Sequence, residues 1–185
     1  TCHAEAENAF RRQQSAPSFP VPFDALSAQI EFDVLEPDRP YSIAGYAVKA
    51  LLQRHSGDSY GWRLEREGKA LVYSTDSEHR LEDQVAMDRF VEFFHQADAV
   101  VFDAMYSLAD AISIRADWGH SSNILGVELC QVARARRLVL FHHEPAYDDA
   151  KLVDLLKQTR RFEAITRNGE ALEVVTAYDG LELNL

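Results

Sequence analysis

Hydrophobic and polar positions along the chain fall into two periods. Alternation with period two runs through Gln29–Glu36 (QIEFDVLE), which predicts a strand. It continues through Tyr41–His55 (YSIAGYAVKALLQRH), where Ile43, Tyr46, Val48 and Ala50 favour two strands around Gly45 over one helix. YGWRLEREGKALVYSTD predicts a hairpin that turns at Glu67-Gly68 and ends at Asp76. The period then lengthens. Leu81–Gln96 predicts an amphipathic helix, with Val85, Phe90, Val91 and Phe94 near one face. AVVFDA predicts a buried strand ending at Asp103, and Ser107–Gly119 a long connector. SSNILGVELCQVARARR predicts a helix capped by Ser121, Ser122 or Asn123, with basic residues in its last turn. RLVLF reads as a strand, DDAKLVDLLKQTRRF as a helix, and Ala171–Leu185 as a closing hairpin around Asp179-Gly180. Upstream of all these, Ala4–Gln14 predicts a short helix, and SAPSFPVPF an extended connector with three prolines.

The order β-β-α-β-α-β-α-β-β predicts a layered α/β fold. Residues 1–185 read as a single domain, with 1–28 as a helix plus Pro-rich connector inside it. The net charge of −11 argues against a long nucleic-acid footprint, which needs clustered Lys and Arg. It leaves room for a small anionic substrate held by a metal, since a bound cation dominates its local field. No segment approaches the roughly 18 apolar residues of a membrane span. Cys2 and Cys130 are far apart and imply neither a disulfide framework nor a thiolate metal site, so a reducing cytoplasm is the expected location.

Chemistry-bearing residues stand where these elements end. His55 precedes the hairpin, Asp76 ends YSTD, Asp103 ends VVFD, and His142 ends LFHH. His120 stands just before a helix N-terminus in WGHSSN. In open α/β sheets, ligands bind beyond the carboxyl ends of strands, so these ends are expected to converge on one edge. One Asp after one strand is commonly a helix cap; five such residues in register with element ends point to a metal or phosphate site. Phosphodiester hydrolysis needs an activated water and neutralisation of developing charge, and two metals about 3.5–4 Å apart supply both. Asp76 suits a bridging position, with His55 and His142 as terminal ligands on different metals. His120 suits a proton donor or phosphate contact beside the backbone N–H groups of Ser121 and Ser122. Tyr147 is a further candidate substrate contact. Only one of His142 and His143 is expected to face the site. His3, His79 and His95 read as structural, with His79 on a surface turn, and Trp62 and Trp118 as packing residues.

These residues resemble a known family. RHSGDSYGWRLEREGKALVYSTDSEH is similar to the segment of metallo-β-lactamase-fold hydrolases in which a ligand His precedes a Gly-Tyr/Trp-Arg strand and a T-D-x-E bridge. VVFDAMYS, WGHSS and LFHHEPAYDD resemble later segments of the RNase Z and cyclic-nucleotide phosphodiesterase branch, as does AENAFRRQQSAPSFPVPF. The resemblance implies an αββα sandwich, a dinuclear centre of zinc or manganese, and hydrolysis of a cyclic nucleotide or other small phosphodiester. It implies metal ligands at His55, Asp76 and His142, a catalytic His120, and an acidic residue behind the ligands at Asp103.

The family's His-x-His-x-Asp-His motif is absent from this sequence. The reading is therefore of a C-terminal portion whose ligands are incomplete, inactive by itself, with partial or no metal occupancy. Such a portion is expected to self-associate or to sit against the missing N-terminal half, because an uncovered sheet face is a liability. Two alternatives stand beside it: a non-catalytic half-domain that binds a partner, and a receiver-like signalling module with Asp103 as phospho-acceptor. The second lacks the Lys and the acidic pair that such modules need.

Overall fold

The computed structural model describes residues 1–80, 82–107 and 119–185. Seven strands form one mixed sheet in chain order: β1 (Pro40–Ile43), β2 (Tyr46–Gln53), β3 (Ser59–Arg66), β4 (Lys69–Ser74), β5 (Ala99–Asp103), β6 (Arg137–Phe141) and β7 (Glu173–Thr176). β1 to β4 pair antiparallel, and β4 to β7 pair parallel. The helices are α1 (Ala6–Gln13), α2 (Gln84–Phe94), α3 (Asn123–Val132) and α4 (Asp149–Thr166). The chain is α/β, as its pattern predicts.

One face of the sheet carries the core. Leu51, Val72, Val100, Phe102, Leu138, Leu140 and Val174 pack there against Phe90, Phe93 and Phe94 of α2 and Leu125, Leu129 and Cys130 of α3. The approach is close at Gly126, where a Cβ would lie 2.8 Å from the Phe102 ring. Burial raises the Cys130 thiol pKa steeply, so it is an inert core residue. The other face leaves Ile43, Tyr46, Leu52, Tyr73 and Phe141 exposed.

Several elements differ from their expected form. Gln29–Glu36 alternates but is not a strand: its backbone–backbone bonds run to Thr1, which donates to Asp33 O and accepts from Leu35 N. Alternation reports a chain with two unlike faces; a strand also needs a neighbour for its N–H and C=O groups. Asp179-Gly180 does turn, but Leu181–Leu185 does not return along β7; Asn184 O instead accepts from Arg137. α2 starts at Gln84 with Asp83 as cap, and it buries Met87, Phe90, Phe93 and Phe94 while Val85 is exposed. α3 ends at Val132, so Arg134 and Arg136 lie beyond its last turn. Most of the Ser107–Gly119 connector, with Trp118, lies outside the described residues.

The mixed topology positions the site. β2 and β4 both run antiparallel to β3, so they run the same way as each other and as β5 and β6. The carboxyl ends of β2, β4, β5 and β6 therefore open on one edge. Among the described residues, no helix is long and apolar enough to cross a membrane.

Candidate metal centre

Gln53 joins the first two of those ends. It is buried at the end of β2, donates Nε2 to Thr75 O at 2.7 Å, and accepts from Ser74 Oγ. Gly61 makes room for it, since a Cβ there would stand 2.7 Å from Gln53 Oε1. Glu78 N donates to Arg54 O at 2.8 Å, so the chain carrying His55 runs beside the chain carrying Asp76. The Asp76 Oδ1 atom then lies 3.6 Å from His55 Nε2 and 3.2 Å from His142 Nε2.

Asp103 closes β5 with no exposed surface. Its carboxylate accepts from Ser77 N, Met105 N and Ser121 N, and meets His120 Nδ1 at 2.8 Å. That contact to a carboxylate raises the His120 pKa above its ordinary value, against the opposing effect of burial. The His120 ring centroid lies 5.1 Å from that of His55 and 4.9 Å from that of His142. Gly119 lets this loop approach: its φ is +87°, and a Cβ would stand 2.7 Å from His55 Cδ2.

Two donor groups result. His55, Asp76 and His120 offer atoms within 4.8 Å of one another, and so do Asp103, His120 and His142. Two ligands each about 2.1 Å from a tetrahedral ion are about 3.4 Å apart. The Asp76–His55 and Asp76–His142 separations bracket that value. Imidazole and carboxylate donors are the set that zinc and manganese accept. The donors present thus fit a divalent ion.

Five of the eight residues singled out in the sequence meet here: His55, Asp76, Asp103, His120 and His142. The other three lie elsewhere in the hydrogen-bond structure. Ser121 is buried, with its hydroxyl bonded to Ser77 O and to His79. Ser122 is buried and caps α3 by accepting from Leu125 N. Tyr147 donates its N–H to Glu144 O, and its ring faces the Lys151 ammonium. His143 is half-buried outside both donor groups, and burial pushes its pKa down.

His79 is the residue whose place differs most from its sequence reading. Instead of a surface turn, it occupies a cage of Phe90, Phe94 and Phe102, 8% exposed, and bonds Ser121 through Nδ1. Gln53, Gly119 and Glu78 also act on the site without having been singled out. Gln53 and Gly119 carry no distinctive signal; Glu78 stands in the STDSE segment beside the expected bridge.

Comparison with known proteins identifies the family and the fold. The model of the beta-lactamase superfamily domain matches residues 4–143. Ribonuclease Z from Thermoplasma acidophilum is 23% identical, over 76% of this chain and 58% of that protein. The chain thus spans less than two thirds of this curated relative. Two solved structures share the fold: the metallo-beta-lactamase fold protein YhfI from Bacillus subtilis and zinc-bound PqqB from Methylobacterium extorquens. YhfI has a TM-score of 0.64 and 17% identity, over 96% of this chain and 61% of that one. PqqB has a TM-score of 0.52 and 18% identity, over 83% and 52%. With a family model that covers most of the sequence, the chain belongs to the beta-lactamase superfamily.

Proposed function

We propose that this chain carries metal-binding and proton-transfer residues of a metal-dependent phosphodiesterase acting on a cyclic nucleotide or another small phosphodiester. The observation that carries the reading is the shared position of Asp76 Oδ1, 3.6 Å from His55 Nε2 and 3.2 Å from His142 Nε2, each separation that of a pair of metal ligands. The ribonuclease Z relative supports the bond class, since a ribonuclease acts on phosphodiesters. The −11 charge favours a small substrate over a long polyanion.

His55 and His142 would hold terminal positions of a zinc or manganese centre, with Asp76 between them. Such a centre, when bound, supplies a water activated near neutral pH and offsets charge on the phosphoryl oxygens. His120 acts as the acid. Asp103 holds its Nδ1–H and raises its pKa, which favours the protonated ring that would deliver its proton to the departing alkoxide. Asp103 also fixes the ring orientation, as a carboxylate behind a site histidine does.

We infer as well that the face bearing Ile43, Tyr46, Leu52, Tyr73 and Phe141 is covered in use, by a second copy or by an N-terminal half carrying further ligands. The alternative, a non-catalytic half-domain that binds a partner, draws on the same face. Metal content per chain, mass in solution and turnover of bis(p-nitrophenyl) phosphate and cyclic AMP decide between them. About one metal or more per chain with turnover abolished by His120→Ala supports the hydrolase. A metal-free chain that is inactive as monomer and oligomer overturns it for this polypeptide.

A further inference from the structure

We propose that His79, through Ser121, is a positioning residue that sets His120 against Asp76, so that the segment following Asp76 fixes the donor cluster from outside it. The inference rests on reading that cluster as a metal centre.

The hydrogen bonds around Ser121 can be counted. Its hydroxyl has one proton and two lone pairs. Ser121 Oγ donates to Ser77 O at 2.7 Å and accepts from His79 N at 3.2 Å. It also meets His79 Nδ1 at 2.7 Å. Its only proton is already used, so Nδ1 must be the donor in that contact. His79 is therefore the Nδ1–H tautomer, and its Nε2 lone pair faces Ser77 Oγ at 3.5 Å. Every capacity of the Ser121 hydroxyl is taken, which removes it from the substrate.

The bonds link residues next to the ligands. Ser77 follows Asp76, and Ser121 follows His120. Ser77 N also donates to the Asp103 carboxylate that holds His120. One residue further on, Glu78 Oε2 accepts from Gly119 N at 3.3 Å. Residues 77–79 and 119–121 are thus clasped side by side, and the clasp sets the separation between the chain carrying Asp76 and the chain carrying His120.

Packing alone does not account for a histidine here. The Phe90 ring lies 4.2 Å away, and Phe102 stacks on His79 at 5.1 Å. A phenylalanine would fill such a cage without burying ring nitrogens, whose desolvation is costly unless they are bonded. Burial lowers the His79 pKa to about 3, so the ring stays neutral, and its bond to Ser121 fixes the tautomer.

The test uses the full chain with His79→Phe, His79→Asn, Ser121→Ala and the double variant H79F/S121A. The Asn amide nitrogen occupies the place of Nδ1 and donates in the same way. Zn2+ affinity is measured by calorimetry, and amide exchange on the metal-free proteins. His79→Phe is expected to weaken Zn2+ binding by about 10–100-fold, the range for residues behind metal ligands. It should also speed exchange at Ser77, Gly119 and Ser121 relative to β4 and β6. His79→Asn should recover most of the affinity, and the double variant should be no weaker than His79→Phe. Wild-type Zn2+ affinity in His79→Phe, equal losses in His79→Phe and His79→Asn, or unchanged exchange would each overturn the proposal. If the wild-type chain binds no Zn2+, the metal-centre reading fails separately; faster exchange in His79→Phe alone then upholds the clasp, and unchanged exchange overturns it.

Discussion

Replacing Gly119 by alanine tests whether His55 is held by close approach of the His120 loop. The new Cβ would stand 2.7 Å from His55 Cδ2 and 3.3 Å from both His55 Cγ and Cα. Comfortable carbon–carbon contact begins near 3.5 Å, so the His55 ring must retreat by about 0.8 Å or the loop must lift by as much. The φ of +87° adds roughly 1–2 kcal/mol of backbone strain for any residue with a Cβ. Together these predict a loss of about 2 kcal/mol, or about 4–8 °C in Tm for a chain of this size. A ligand atom moved by about 0.8 Å also exceeds the ~0.2 Å tolerance of a metal site, so Zn2+ affinity should fall at least tenfold. Gly68→Ala separates the two effects. Its φ is +75°, yet nothing lies within 4 Å of the added Cβ. It should lose the strain energy and keep the affinity. Thermal melts in chelator and zinc titrations of both variants decide the matter. If Gly119→Ala loses stability like Gly68→Ala and binds zinc like wild type, then His55 is not a ligand held by this contact.

Further outcomes follow from the same geometry. Asp76 sits at φ +53°, where glycine is unstrained, so metal-free Asp76→Gly should be about 1 kcal/mol more stable in urea while its metal content falls; a destabilised variant contradicts the assigned strain. His79 has a folded pKa of about 3 against 6.5 unfolded, so its contribution to stability is present above pH 6.5 and lost as pH falls toward 3. Between pH 6 and 4, wild type should lose about 1.4 kcal/mol more per pH unit than His79→Phe in urea titrations; parallel slopes would mean the ring is not buried neutral. Gly126→Ala drives a Cβ to within 2.8 Å of Phe102 and should cost about 1–3 kcal/mol in chemical denaturation; a neutral result would show that α3 can shift away from β5.

The site was legible to the extent that it depends on strand ends. His55, Asp76, Asp103 and His142 each follow an apolar run, and the parallel course of β2, β4, β5 and β6 brings them to one edge. What the sequence hid is set by contacts between distant segments. His79 lies between Glu78 and Arg80, and charged neighbours suggest a surface turn. Its cage comes from Phe90 and Phe94 of α2 and Phe102 of β5, which only the folded chain assembles. Ser121 looked available because serines before a helix are commonly caps or anion contacts; the cap is Ser122, and His79 takes Ser121. Gln29–Glu36 and Leu181–Leu185 failed as strands for a different reason. Alternation and turn chemistry are local, whereas a ladder needs a partner, and neither segment has one among the described residues.

The backbone at Asp76 and His142 explains how a strand end becomes a site. Along β4 and β6, Ser74 and Leu140 face the helix-side core and are fully buried. Period-two alternation would send Asp76 and His142 the same way. An unpaired carboxylate there would cost several kcal/mol. Both residues instead leave the strand in the left-handed region, at φ +53° and +56°. That conformation costs roughly 1–2 kcal/mol each, and Asp and His tolerate it better than most residues. The smaller cost prevails, and the two side chains turn from the core toward each other, to 3.2 Å. The same turn separates His142 from His143, which is left half-buried outside the donor groups. Where local backbone preference is violated at the exits of the two strands that flank β5, and both violations aim donors at one point, the strain belongs to the site and not to a loose loop.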